Sequence, residues 1–156
     1  MIDFEVLTNL AACDGTERIG VGVVVRDASG RIPVIRRSPH DVLPGVWEYA
    51  CGSREDCETV PDGAARELAE ETGLTGLPLE YARHPDFTNQ RGLGVRPFAF
   101  TTVVPDGESD LRLGDEGLAV RMVPLGEVLA LKVLPYLQHD LPMLAEASTP
   151  SFGRTS

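Results

Sequence analysis

Three glutamates in this chain sit at a spacing that suits a cation. Glu67, Glu70 and Glu71 are three and four residues apart, so on a helix they share one face. Glu67 and Glu71 form a like-charge i, i+4 pair, which costs about 0.2–0.5 kcal/mol in an isolated helix. A chain keeps such a stripe most readily where a cation sits on it. Hard divalent ions take carboxylate oxygens, and Mg2+ keeps waters and substrate phosphates in the rest of its shell. Two such ions on one stripe can bridge a pyrophosphate, lower the pKa of a bound water and neutralise a departing phosphate. The chemistry within reach is hydrolysis of a phosphoanhydride. Arg66 lies beside the three acids and can orient one of them through a charge-assisted hydrogen bond. The plain alternative is a solvated acidic helix face.

The elements around the stripe weigh against that alternative. Thr59 reads as a helix N-cap, with Pro61 in the first turn and Asp62 at the capping-box position. Gly73 ends the helix at C′. Val60, Ala64, Ala65 and Leu68 gather on one side and are expected to pack on a sheet. The carboxylate face lies next to that side, so the glutamates should point into a groove at the edge of the packed layer. Upstream, Trp47 to Cys51 reads as a short strand running into Gly52. Cys51 thus falls where strand meets helix layer, and its backbone carbonyl is a candidate further metal ligand. Before it, residues 19–25 (IGVGVVV) make a buried strand, 27–30 a turn, and 31–37 (RIPVIRR) a second strand. Pro33 places that second strand near an edge or bulge. Arg36 and Arg37 are two forks that face either a phosphate or solvent. Trp47, the single tryptophan, offers its ring to a base or to the core.

Elsewhere the signals are weaker. Phe4, Val6 and Leu7 suggest a short strand, and Cys13 to Thr16 a turn. Leu77 to Tyr81 begins another strand. Residues 87–104 read as two strands around Arg91-Gly92-Leu93-Gly94, with Phe98 and Phe100 alternating onto one face. An acidic loop follows, then a strand at Leu118–Val123, a short helix from Pro124 and a last helix from Tyr136 to Ala147. Residues 1–148 are expected to form one domain and 149–156 a disordered tail. His40, His84 and His139 show no ligand spacing, and Cys51 and Cys57 read as ordinary small residues.

Bulk properties narrow the partners. At 156 residues and 24% charged, the chain suits one soluble globular domain. Its net charge of −10 argues against polymeric nucleic acid, which is held by Lys and Arg displacing counterions. A small phosphorylated substrate remains compatible, because divalent metal inverts the sign of a local acidic site. No apolar run is long enough to span a bilayer. The acidic start lacks the basic region of a secretory signal. Three unpaired-looking cysteines suit a reducing, cytoplasmic setting.

The same stretch resembles the Nudix hydrolase signature. That signature is Gly, five residues, Glu, seven residues, Arg-Glu, an aliphatic residue, any residue, Glu-Glu, any residue, Gly and an aliphatic residue. Here it is met by Gly52, Glu58, Arg66-Glu67, Leu68, Glu70-Glu71, Gly73 and Leu74, every spacing matched. Val34 to Arg37, Pro44 to Trp47 and the segment Asp115-Glu116 to Leu125 also resemble MutT-like members. The resemblance implies an α/β fold, an α/β/α sandwich around a mixed β-sheet, and Mg2+- or Mn2+-dependent hydrolysis of a nucleoside triphosphate or of a nucleoside diphosphate linked to another moiety. It implies Glu67, Glu70, Glu71 and the Cys51 carbonyl as metal ligands, with Glu67 as the base oriented by Arg66, or Glu116 from a later loop as the base instead. Glu58 would brace the loop. Members are often dimers, so a homodimer stays open. The family usually has Pro-Gly-Gly before its box; this chain has Ala50-Cys51-Gly52. That Cys-Gly pair is similar to the isopentenyl diphosphate isomerases of the same fold, which have a catalytic cysteine there followed by a metal-binding His. Here Ser53 follows and the glutamates are intact. The isomerase and a non-catalytic nucleotide sensor are the alternatives.

Overall fold

The computed structural model describes residues 1–40, 43–83, 85–104 and 119–133. The expected final helix, the tail and Glu116 lie outside those residues.

The platform is a mixed sheet built on strand β1 (Arg18–Arg26). On one side β1 pairs antiparallel with β4 (Ala50–Ser53), from Gly20↔Ser53 to Val23↔Ala50. On the other it pairs parallel with β7 (Gly94–Val103) along its whole length, Arg18↔Val95 to Arg26↔Val103. The far side of β7 carries β5 (Glu80–Arg83) and, at its start, β6 (Phe87–Thr88), both antiparallel. A second sheet has β2 (Arg31–Arg36) between β3 (Trp47–Glu48) and β8 (Val120–Pro124). Helices are α1 (Phe4–Cys13), α2 (Val60–Thr72) and the single turn α3 (Leu125–Val128).

The alternation of β1 divides the core. Val21, Val23 and Val25 face a cluster with Phe98, Phe100 and the α2 residues Val60, Ala64 and Leu68. Val24 faces the opposite way, into Ile32, Val34, Val46, Val123 and Val128. One face of the platform therefore holds α1 and α2, and the other holds the second sheet and α3. Both faces are covered, so β1 reads as a nearly continuous apolar run. A mixed α/β architecture is what the sequence predicts.

Several local expectations are corrected. Residues 4–13 are helical, not a strand. The Asp3 side chain caps the helix, accepting from the Val6 N–H at 3.1 Å. Phe4 and Leu7 pack on the core and Ala11 is buried; that spacing is helical, and a three-residue apolar cue hid it. Trp47 to Cys51 is not one strand. The chain changes sheets at buried Tyr49, giving β3 to one sheet and β4 to the other. Leu77 and Leu79 pack on the core ahead of the strand, which begins at Glu80. On α2, Ala65 is exposed; the inward positions are Val60, Gly63, Ala64, Leu68 and Thr72. The caps of α2 agree with the sequence. Thr59 Oγ accepts from the Asp62 N–H at 3.2 Å, and Gly73 closes the helix at φ 77°, a conformation Gly adopts at little cost.

Candidate active site

Helix α2 lies against β4 and β1, with Arg66 at the junction. Its guanidinium grips Glu58 with two parallel bonds, Nε to Oε2 at 3.0 Å and Nη2 to Oε1 at 2.8 Å. Nη2 also reaches the Ser53 carbonyl at 3.0 Å. Nη1 donates to Glu67 Oε1 at 2.8 Å and to Glu70 Oε2 at 3.3 Å. One arginine thus ties the loop, the β4 edge and two of the three stripe carboxylates together. The bidentate pair is the strong form of such contacts. It holds the Glu58 carboxyl down at about 2, helped by the Glu55 N–H at 2.7 Å. The carboxylates in turn push the Arg66 pKa up.

Glu67 is far more enclosed than Glu70, with its side chain 13% exposed against 58%. Burial pushes its pKa up, and Arg66 pulls against that. Such a carboxylate gains from an added positive charge. Its carboxylate also lies where a side chain at residue 52 would begin: a Cβ on Gly52 would collide with Oε1 and lie 2.7 Å from Oε2. The missing side chain at Gly52 leaves the space that this carboxylate fills. Gly63 has a matching role, since a Cβ there would lie 2.7 Å from Glu58 Oε1. Sequence reasoning missed Gly63. Its signal was a glycine inside a helix, which costs about 1 kcal/mol relative to Ala and so asks for a packing reason.

Glu71 turns to the strand, where Oε2 accepts from the Cys51 N–H at 3.0 Å. β4 ends its sheet, and a strand residue directs its N–H and C=O to the same side. The Cys51 carbonyl consequently faces the open edge beside Glu71, as the Ser53 carbonyl two residues on faces Arg66. The Cys51 thiol is half-buried, and burial together with Glu48, Glu71 and Glu67 pushes its pKa well up. That environment disfavours a thiolate nucleophile.

The donor set is all oxygen, three carboxylates and an edge carbonyl, which fits a hard divalent cation. Among the described residues no three acidic, His or Cys side chains are gathered into a ready-made cation cluster. The reason is visible in the contacts: Glu67 and Glu70 turn to Arg66, and Glu71 turns to Cys51.

The other named residues separate. Arg37 lines a cavity of about 180 Å³ beside β4, held by Glu48 Oε1 at 3.1 Å. Glu48 is buried at 8% exposure. Arg36 is exposed, and neither it nor Trp47 lines that cavity. Trp47 packs on the core, with the Arg121 guanidinium 5.8 Å from its ring centre. The cavity instead has Phe87 as its aromatic side chain nearest the surface and Asn89 and Gln90 as its amides.

Comparison with known proteins follows the same lines. A family model described as NUDIX domain matches residues 16–146. The chain is similar to a MutT protein from Methanosarcina mazei Go1, with 25% identity and a TM-score of 0.72, covering 83% of this chain and 94% of that one. It is also similar to the ORF135 protein of E. coli, with 26% identity and a TM-score of 0.63, covering 86% and 90%. A curated octanoyltransferase from Myxococcus xanthus is 34% identical over 122 residues, 71% of this chain. This chain spans only 30% of that protein's length.

Proposed function

The chain belongs to the NUDIX family, and from that premise we propose that it is a pyrophosphohydrolase. It would cleave a phosphoanhydride in a nucleoside triphosphate or a nucleoside diphosphate linked to another group, with Mg2+ or Mn2+. The observation that carries this reading is the arginine-centred cluster: Arg66 holding Glu58, Glu67 and Glu70 at once. Glu67, Glu70, Glu71 and the Cys51 carbonyl would hold the cation. When bound, it supplies an activated water and charge neutralisation of the phosphates. Glu67, held by Arg66, would take a proton from water, with Glu116 as the other candidate for that step. Glu58 braces Arg66. Arg37, which lines the neighbouring cavity together with Arg18, would meet substrate phosphate.

The isomerase alternative needs a reactive Cys51, whereas burial beside Glu48 and Glu71 pushes the pKa of that thiol up. Phosphate and pyrophosphate release over a nucleotide panel tests the reading. Release is expected with Mg2+ or Mn2+, lost with excess chelator, lost in Glu70→Gln and Glu71→Gln, and retained in Cys51→Ser. Nucleotide binding without release from any substrate would instead point to a sensor.

A further inference from the structure

The cavity beside β4 exists because of two glycines on one face of β1. Gly20 and Gly22 alternate with Val21 and Val23, which pack on the other face under α2. The next residue on the glycine face is Val24, fully buried. Side chains at 20 and 22 would close the space: a Cβ on Gly22 would lie 2.6 Å from the Tyr49 ring, and one on Gly20 3.3 Å from Val95. The register sets Ser53 and Pro97 on either side of Gly20, and Cys51 and Ala99 on either side of Gly22. The result is a trough across three strands, about 180 Å³ in volume. Its β4 wall is shared with the carboxylate cluster, through Cys51 and Gly52.

One lining group is chemically selective. Asn89 Oδ1 accepts from the Arg91 and Leu93 N–H groups, both at 3.0 Å. Its oxygen is thus committed to the β6–β7 turn, and what Asn89 can offer a ligand is its NH2, a donor only. Gln90, exposed beside it, has no such constraint and can present either end.

We propose that this trough seats the base of the substrate and that Asn89 selects bases with a ring carbonyl over those with an amine at the same position. The proposal rests on the nucleotide reading above and deepens it. Phe87 supplies an aromatic wall, and the turn bonds hold the donor in place before the ligand arrives, so little ordering is required on binding.

The test uses binding without catalysis. Dissociation constants of IMP, AMP, UMP and CMP are measured by calorimetry in chelator with the full chain, its Asn89→Asp variant and its Gly20→Ala variant. The Asp variant keeps the oxygen that the turn uses and removes the donor. The expected result is IMP favoured over AMP and UMP over CMP by roughly tenfold, with both preferences lost or reversed in Asn89→Asp at unchanged Tm. Gly20→Ala should weaken all four by a similar factor. The same preference in the full chain and in Asn89→Asp, or no preference in the full chain, would overturn the proposal. So would undiminished binding of all four to Gly20→Ala. Hydrolysis measured separately keeps the two readings apart: release with no base preference sinks only this inference, and base preference with no release sinks only the hydrolase.

Discussion

Gly52→Ala is the sharpest perturbation of the carboxylate cluster, because it adds one methyl group at a place already filled. Glu67 Oε2 would lie 2.7 Å from the new carbon, and Oε1 closer still. Ordinary non-bonded separations begin near 3.5 Å, so the carboxylate must retreat by about 1 Å. It cannot retreat freely. Its Oε1 is held at 2.8 Å by Arg66, which is itself fixed by two bonds to Glu58. The overpacking should cost about 1–3 kcal/mol. For a chain of this size each kcal/mol lowers Tm by roughly 2–4 °C. The loss of activity should be larger than the loss of stability suggests, since a misplacement of about 1 Å in a reacting constellation costs about 10²-fold. The assay is kcat/KM for nucleotide hydrolysis beside a thermal melt. Gly126→Ala is the control, because nothing lies within 4 Å of a Cβ there. A Gly52→Ala protein with wild-type Tm and kcat/KM within about twofold of wild type would refute the close-approach argument.

Other outcomes follow from the same contacts. Arg66→Lys keeps the charge but loses the fork on Glu58; a loss of about 1.5–3 kcal/mol should appear in urea melts, together with a fall in kcat. Glu58 has its folded pKa depressed from 4.5 to about 2, so its stabilising contribution is complete above pH 4.5 and is lost as pH falls toward 2. Melts between pH 6 and 2.5 should therefore show a shallower decline in Glu58→Gln, from a lower starting Tm, than in wild type. Thr59→Ala removes the N-cap bond to Asp62 and should cost about 0.5–2 kcal/mol, read as a lower urea midpoint with the m-value unchanged.

The site was legible in the sequence wherever spacing alone fixes geometry. Thr59, Gly73 and the i, i+3, i+4 glutamates announce a capped helix with acids on one stripe. Arg66 was legible as a neighbour but not as a hub, because its partners Glu58 and the Ser53 carbonyl come from the loop and strand that precede the helix. Helix α1 was misread because Phe4, Leu7 and Ala11 mark a helix only when taken together. Tyr49 hid a change of sheet: a residue buried between two strands looks, in sequence, like one more strand residue. The roles of Gly52 and Gly63 depend on carboxylates that reach them in space, and only the absence of a side chain hints at it. Arg36 and Arg37 are neighbours in sequence with opposite fates, since adjacent residues near a strand end project to opposite sides.

The parallel pairing of β1 with β7 has a consequence for how the protein is made. The sequence from Gly52 to Leu74 is local, and α2 with its caps can form as soon as it is synthesised. Its platform cannot. β1 is flanked by β7, and the Glu17 side chain reaches the Gly94 N–H across 77 positions of sequence at 2.7 Å. Closing so long a loop precedes most of the reward from burial, which slows folding. A nascent chain that ends between Leu74 and Gly94 carries every residue of the box yet lacks the strand that completes its floor. Docking of α2 on a completed sheet should therefore wait for this long-range pairing, and chains interrupted before it should expose Val21, Val23 and Val25 to aggregation.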